Sequence, residues 1–243
     1  MTEEVANHER ERLAGAFPTL ALDTSATPAT VTGTLWLDSG FGFSVDLQIP
    51  DGYPEGIPRL VVRPEEIPWQ ADRHVVTAGV ACLCVSSEYR LHWPRGSDLT
   101  DFMKCFVVPY FARQAYHQTH GQWPAGQERS HGAAGIVESF SETLAELGSP
   151  GVATIERFLI MLASPGHPKG NDSCPCGSGK KIRKCHRRLV WKLRNRIDPE
   201  FARNDLWLLR QAMDPGAATS DGAAPTVTGI GPCRAKKVPG TPS

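Results

Sequence analysis

Residues 31–50 have the sequence VTGTLWLDSGFGFSVDLQIP, in which two strand-like stretches flank a short turn. The stretches 31–38 and 43–50 carry apolar residues at alternate positions, which is the pattern of a half-buried strand, and an Asp-Ser-Gly turn separates them. The sequence RLVVRP at 59–64 predicts a further strand. Because the links between these strands are short, we expect an antiparallel meander.

Helical patterns lie on both sides of this meander. An opening helix is predicted at 3–16, and apolar residues recur at helical spacing after Ser97. Later helices are predicted at 135–147, 151–164, 187–197 and 199–213. A run of strands followed by a run of helices indicates the α+β class.

The pattern predicts four consecutive parts. A strand-and-helix domain is predicted over 1–148, followed by a helix and linker over 149–170. A small cysteine-rich knuckle with basic helices is predicted over 171–213. Residues 214–243 are rich in Gly, Pro, Ala and Thr and almost free of large apolar groups, so we predict a disordered tail there.

Composition narrows the class of protein. The chain has 243 residues with 26 Lys plus Arg and 26 Asp plus Glu, so its overall charge identifies no partner. No segment approaches the roughly 18 apolar residues of a membrane span, and the polar N-terminus is unlike a signal peptide. We therefore expect a cytoplasmic protein without membrane contact. Seven cysteines in a reducing compartment indicate metal binding or catalysis rather than disulfides.

The strongest local signal is the knuckle at 171–186, with the sequence NDSCPCGSGKKIRKCH. Zinc prefers four soft or borderline ligands in a tetrahedron. A Cys-X-Cys arm supplies two thiolates, a Gly-Ser-Gly turn reverses the backbone, and a Cys-His pair supplies the other two ligands. The predicted zinc ligands are Cys174, Cys176, Cys185 and His186.

This segment resembles the SEC-C motif across residues 171–186. The resemblance implies one structural zinc and an interaction module that carries no chemistry of its own. Four protein ligands leave no open position for a catalytic water, which agrees with that role.

A basic stretch overlaps the knuckle and continues beyond it. Residues 180–196 contain nine Lys or Arg residues and no acidic residue. Such a face could bind the phosphates of a nucleic acid, dock a protein, or simply be solvated. Since Trp191 is the one aromatic residue there, protein docking or solvation is favoured over nucleic acid.

The first domain carries an ordered set of features over about residues 1–118. They are a helix, a strand meander, a Tyr-Pro loop, a His, a Gly-x-x-Cys-Leu sequence, a Trp-Pro pair and helices, marked by Tyr53, Pro54, Pro58, His74, Gly79, Cys82, Leu83, Trp93 and Pro94. This order resembles the ubiquitin-conjugating enzyme (UBC) fold. The stretch GQWPAGQERSHG at 121–132 resembles bacterial relatives, several of which belong to antiphage defence operons.

The resemblance implies that Cys82 is a nucleophile. It would accept a protein C-terminus from an activated ubiquitin-like or other carrier as a thioester and pass it to an amine of a protein target. Cys84 is an alternative, because it points to the same side of an extended segment. Both cysteines could instead be ordinary core residues in the apolar sequence VACLCV.

The chain departs from the family at one catalytic position. The family's His-Pro-Asn tripeptide supplies an Asn that supports the oxyanion, whereas this chain reads His-Val-Val at 74–76 and has no asparagine between Asn7 and Asn171. The oxyanion donor is therefore predicted to be a backbone N–H or one of three histidines. The candidates are His74, His92 and His131, of which His131 is preferred as donor or base and His74 is given a structural role.

Three functions remain open from the sequence. The first is a conjugating transferase, which needs a separate activating enzyme because the chain has neither a Gly-x-Gly-x-x-Gly after a strand nor a P-loop. The second is a UBC-fold binding module without turnover, with the zinc knuckle docking a protein. The third is a thiol hydrolase that uses Cys82 and His131.

Overall fold

A computed structural model describes residues 1–128 and 130–213 of the chain. Within them the backbone forms two compact units. The sheet unit comprises residues 1–83 and 95–128, and the helical unit comprises residues 84–94 and 130–213. The predicted tail at 214–243 lies outside the described residues.

The sheet unit contains four strands and helices that precede and follow them. The strands are β1 (Leu20–Asp23), β2 (Ala29–Trp36), β3 (Gly42–Ile49) and β4 (Arg59–Leu60). They pair antiparallel in the order β1-β2-β3-β4, so the predicted meander is confirmed. The helices of this unit are α1 (Glu3–Ala16), α3 (Leu99–Phe102) and α4 (Val108–His120), with a π-helical turn Met103–Val107 between the last two.

Alternation along β3 builds the core of the sheet unit. Phe43, Val45, Leu47 and Ile49 are buried, while the residues between them are less so. The ring of Phe43 stacks on Phe111 of α4, with centroids 4.7 Å apart. The side chains of one sheet face therefore pack against α4.

Two strand predictions were wrong in detail. β1 was missed because Leu-Ala-Leu-Asp has no strong strand preference and becomes a strand only by pairing with β2. β4 is shorter than the predicted 59–64, because Val61 forms a bridge with Val80 and the Val62 N–H donates to the Gly79 carbonyl. The chain thus leaves the sheet to support the loop that carries Cys82.

The helical unit has one buried apolar core, to which the predicted late helices contribute. Its helices are α2 (Tyr89–His92), α5 (Gly132–Thr143), α6 (Val152–Ala163), α7 (Arg187–Arg196) and α8 (Pro199–Met213). The core includes Phe140 of α5, Phe158 of α6, Val190 of α7 and Leu209 of α8. The predicted α+β class is confirmed, and no helix among the described residues is long and apolar enough to cross a membrane.

The predicted domain boundaries differ from the boundaries of these two units. Helices α5 and α6 share a core with the knuckle, although the sequence assigned α5 to the domain 1–148 and α6 to the connection 149–170. Apolar faces of both helices pack on the same core as Ile182 of the knuckle. The domain prediction concerns independent folding and stays a prediction.

Candidate metal centre and cysteine site

The knuckle (residues 171–186) is shaped by its own backbone. Ser173 and Lys181 form an antiparallel bridge, and the Cys174 N–H donates to the Lys180 carbonyl at 2.9 Å. Gly177 and Gly179 take φ values of 82° and 71°, a left-handed conformation that glycine adopts without steric cost. This tight reversal brings the Cys-X-Cys arm back to the Cys-His pair.

The four predicted ligands converge. One ligand atom from each of Cys174, Cys176, Cys185 and His186 lies within 4.8 Å of all the others. The Cys176 and Cys185 sulfurs are 3.6 Å apart, and the His186 Nδ1 is 3.5 Å from the Cys174 sulfur and 3.3 Å from that of Cys185. With zinc bonds of about 2.3 Å to sulfur and about 2.0 Å to nitrogen, a tetrahedron has edges of about 3.8 Å and about 3.6 Å. The cluster is therefore compatible with a metal such as zinc, with His186 offering Nδ1.

Residues around the ligands hold this geometry in place. The Ser178 hydroxyl oxygen lies 3.2 Å from the Cys176 sulfur and 3.4 Å from the Cys185 sulfur. Arg157 of α6 donates from Nε to the Pro175 carbonyl at 2.9 Å. A Cβ at Gly177 would stand 2.7 Å from the Arg157 Nη2, so this glycine also makes room for the arginine. These outer contacts join the metal loop to α6.

The ligand thiols differ in how readily they ionise. Burial raises the pKa of Cys174 to about 11. Burial also opposes ionisation of Cys176, but hydrogen bonds with Ser178 and with the neighbouring thiols lower its pKa to about 6. Since a metal binds thiolates, its binding would release protons from this cluster.

Cys82 lies in a closed loop of the sheet unit. Its N–H donates to the His74 carbonyl at 2.7 Å, and Val75 forms an antiparallel bridge with Ala81. Gly79 has a φ of 76°, and a Cβ there would stand 2.7 Å from the Trp69 indole and 2.8 Å from the Val62 carbonyl oxygen. Cys82 is 4% exposed. The Gly-x-x-Cys-Leu sequence therefore forms a fixed, covered turn.

His74 contributes to this loop through its backbone. It takes a left-handed conformation, with φ 55° and ψ 43°, and its carbonyl accepts the hydrogen bond from Cys82. Its half-buried ring meets the edge of Trp123 with centroids 5.6 Å apart. The structure thus brings Cys82 and His74 together.

A buried polar cluster adjoins the same turn and was not predicted. Arg73 donates from Nε and Nη2 to the Gln114 Oε1 at 2.9 and 2.7 Å, and Gln114 Nε2 donates back to the Arg73 carbonyl at 2.8 Å. The Tyr110 hydroxyl donates to the same carbonyl at 3.3 Å. Burial, and next the electrostatic effect of Cys82, raises the pKa of Tyr110. Helical spacing on α4 marks Tyr110 and Gln114 as core residues, but no sequence signal ties them to Arg73.

The other predicted cysteine-site residues belong to the helical unit. His131 is exposed at the N-cap of α5, and its carbonyl accepts from the Gly135 N–H at 3.4 Å. Cys84 is fully buried, and His92 is exposed at the end of α2. The roles of His131 and His92 beside Cys82 stay predictions.

The knuckle has a counterpart among known families. Residues 171–188 match the model of the SEC-C motif. No curated protein matches the chain, and no solved structure matches it. The match covers the four converging ligands and the first residues of α7.

The helix that follows the SEC-C ligands exposes much of its positive charge. Arg187, Arg188, Lys192 and Arg196 of α7 are exposed, and the Arg187 guanidinium lies 5.9 Å from the Trp191 ring centroid. Arg194 is used differently, since it donates to the carbonyls of Leu162, Ser164 and Gly166. The predicted basic face therefore includes one arginine that serves the fold.

Proposed function

We propose that this protein is a cysteine-dependent, ubiquitin-conjugating-type acyl transferase with a structural zinc in its SEC-C motif. The observation that carries the proposal is the place of Cys82 in the fold. A helix, a four-stranded antiparallel meander, the turn with Gly79 and Cys82, and then α3 and α4 follow one another in the sheet unit. This order supports the UBC-like interpretation of the sequence.

The proposed reaction has two balanced steps. In loading, the Cys82 thiolate attacks the activated carbonyl of a carrier's C-terminus, a C–S bond forms, and the bond to the activating group breaks. In discharge, an amine of a target protein attacks the thioester, a C–N bond forms and the Cys82 thiolate leaves. The amine loses its proton to a base, for which His131 is the proposed group. A separate activating enzyme supplies the activated carrier.

Access to the sulfur is part of the mechanism. Cys82 is 4% exposed, so a carrier's C-terminus reaches its sulfur only when the residues that cover it move. The loop is closed by the Cys82–His74 backbone hydrogen bond and the Val75–Ala81 bridge, which a docked carrier can displace. We therefore propose that carrier docking opens the site.

The SEC-C motif has a different proposed role. One zinc ion would be held by Cys174, Cys176, Cys185 and His186. It would cross-link the loop and would take no part in the reaction. The exposed cations of α7 extend from this loop and suit docking of a protein partner. Nucleic acid binding through 180–196, a cytoplasmic location and an antiphage setting stay predictions.

A binding module without turnover is the second candidate. The burial of Cys82 favours it, as does the lack of an asparagine between Asn7 and Asn171. Such a protein would hold the carrier and form no covalent bond. The thiol hydrolase has no structural observation in its favour.

Covalent trapping separates these functions without knowledge of the carrier. Trypsin releases Cys82 in the peptide 74–90, and a Cys82→Ser protein isolated from its native cells should carry a C-terminal peptide of another protein, esterified to the introduced hydroxyl. An alkali-labile attachment at position 82, located by fragmentation, is the expected result. An unmodified peptide from Cys82→Ser, together with an unmodified Cys82 in the parent protein, would favour the binding module over the transferase.

A further inference from the structure

The residues that follow Cys82 in sequence are held by buried polar side chains of the helical unit. Ser86, Ser87 and Glu88 are 0%, 1% and 5% exposed. A serine pair and a glutamate at such depth need specific partners, because an unsatisfied buried polar group is costly. Partners for the Ser86 hydroxyl, the Ser87 N–H and the Glu88 carboxyl group come from α8 and α5.

Helix α8 supplies two of these partners. The Ser87 N–H donates to Asp205 Oδ2 at 2.9 Å, and Asn204 Nδ2 donates to the Ser86 hydroxyl at 3.0 Å. Asp205 is 1% exposed, and this burial raises its pKa to about 6 despite the hydrogen bonds that favour its carboxylate. Ionised Asp205 is stable at this depth only while Ser86 and Ser87 remain in place.

Helix α5 supplies the third partner. The Ser139 hydroxyl donates to Glu88 Oε1, and Ser139 itself is fully buried. Two residues further along the same helix, Ser141 donates only to the Val137 carbonyl of its own helix at 2.7 Å. We name the contacts of Ser86, Ser87 and Glu88 with Asn204, Asp205 and Ser139 the serine clamp.

The serine clamp and the SEC-C motif share one core. Val85, next to the clamp, and Cys174, a metal ligand, belong to the same buried cluster. Arg157 joins α6 to the metal loop at Pro175, and α6 packs against α8. A continuous set of packed and hydrogen-bonded groups thus runs from the metal loop through α6 and α8 to Ser87.

We infer that the SEC-C metal governs access to Cys84, through the serine clamp. Cys84 begins the segment of the helical unit that contains Ser86, Ser87 and Glu88, so the clamp holds the residues directly after Cys84. With metal bound, α6 and α8 are fixed and the clamp is closed. Without metal, the knuckle loses its cross-link, the helices loosen and the segment from Cys84 to Glu88 is released.

Asp205, Asn204 and Ser139 are positioning residues in this scheme. The consequence for acyl transfer rests on the proposed function, whereas the coupling of metal to cysteine access does not. Alkylation of Cys84 requires neither carrier nor activating enzyme. A failure of the coupling is therefore distinguishable from a failure of the transferase proposal.

The first experiment measures alkylation of the full-length protein with iodoacetamide, before and after removal of metal by a chelator. The alkylation rate of Cys84 is measured in tryptic peptide 74–90. The rate of Cys105, a half-buried cysteine of the sheet unit, is measured in peptide 105–113. Chelation should raise the Cys84 rate about tenfold or more and leave the Cys105 rate within about twofold, and added zinc should reverse the change. An unchanged Cys84 rate with metal removed, or an equal rise at both cysteines, would overturn the inference.

The second experiment keeps the metal in place and compares two serines of α5. Ser139→Ala removes a clamp contact, whereas Ser141→Ala removes a hydroxyl that bonds within its own helix. Ser139→Ala should raise the Cys84 alkylation rate about tenfold, which is the order of one buried hydrogen bond. Ser141→Ala should leave it unchanged. Equal rates in the two variants, each shown to retain its metal, would contradict the clamp.

Discussion

The SEC-C cysteines and Cys82 have the same side chain, but their surroundings are built in different ways. In the helical unit, three sulfurs and an imidazole converge within 4.8 Å of one another, and all four come from residues 174–186. In the sheet unit, Cys82 lies in a covered turn beside Arg73 and Tyr110, which come from separate parts of the chain. A metal site can thus be built by one short loop, whereas the surroundings of a lone cysteine depend on the whole fold of its unit.

The largest expected effect tests the metal side of this comparison. Cys185→Ser should lower the metal content from about one zinc per chain to near zero, because three remaining ligands bind zinc far more weakly. Elemental analysis of the purified protein measures it, and Cys105→Ser is the matched control that should keep its metal. Full metal content in Cys185→Ser would contradict the assignment of Cys185 as a metal ligand.

The next effect tests the chemistry proposed for the cysteine side. His131→Ala should slow discharge of a Cys82 thioester to an amine by about 10²–10³-fold, because the base that takes the proton of the amine is lost. Loading needs only the thiolate and a docked carrier, so it should change little. Single-turnover assays of the two half-reactions would separate them. Equal slowing of both would assign His131 to carrier docking instead.

A smaller effect sharpens the contrast between the two units. Glu9 of α1 is 3% exposed, and it accepts hydrogen bonds from the Tyr53 hydroxyl and, at 2.9 Å, from the Leu99 N–H. Glu9→Ala removes both of these buried hydrogen bonds and should lower the stability of the sheet unit by about 3 kcal/mol. Hydrogen exchange of β2 and β3 amides measures this loss.

Glu11→Ala is the control for Glu9→Ala, since Glu11 is an exposed residue of the same helix. It should change stability by less than about 0.5 kcal/mol. Both variants should keep their full metal content, because the SEC-C ligands belong to the other unit. Metal lost from Glu9→Ala alone would show that the two units do not hold their sites separately.

Patterns within one element were sufficient to predict most of the fold. α1 was predicted at 3–16 and is found at Glu3–Ala16, and α8 was predicted at 199–213 and is found at Pro199–Met213. Charged and apolar residues alternate at helical spacing there, and Pro199 marks a start. β1 could not be predicted, because Leu20–Asp23 is a strand only through its register with β2.

The candidate sites divide in the same way. The four metal ligands were predictable because their spacing and glycines act locally, and the structure brings all four together. The Arg73–Gln114 pair and the serine clamp were not, because each joins residues that are distant in sequence. A buried polar residue reveals its role only through its partner, and composition or periodicity does not specify that partner.

The central claim is that Cys82, and not its neighbour Cys84, carries the acyl group. The direct measurement compares Cys82→Ala with Cys84→Ala, each isolated from native cells with alkylation of unreacted thiols, by mass analysis of peptide 74–90. We predict a thioester-linked C-terminal peptide, cleaved by hydroxylamine, on Cys84→Ala and none on Cys82→Ala. An adduct on Cys82→Ala that equals that of the parent protein would contradict the account.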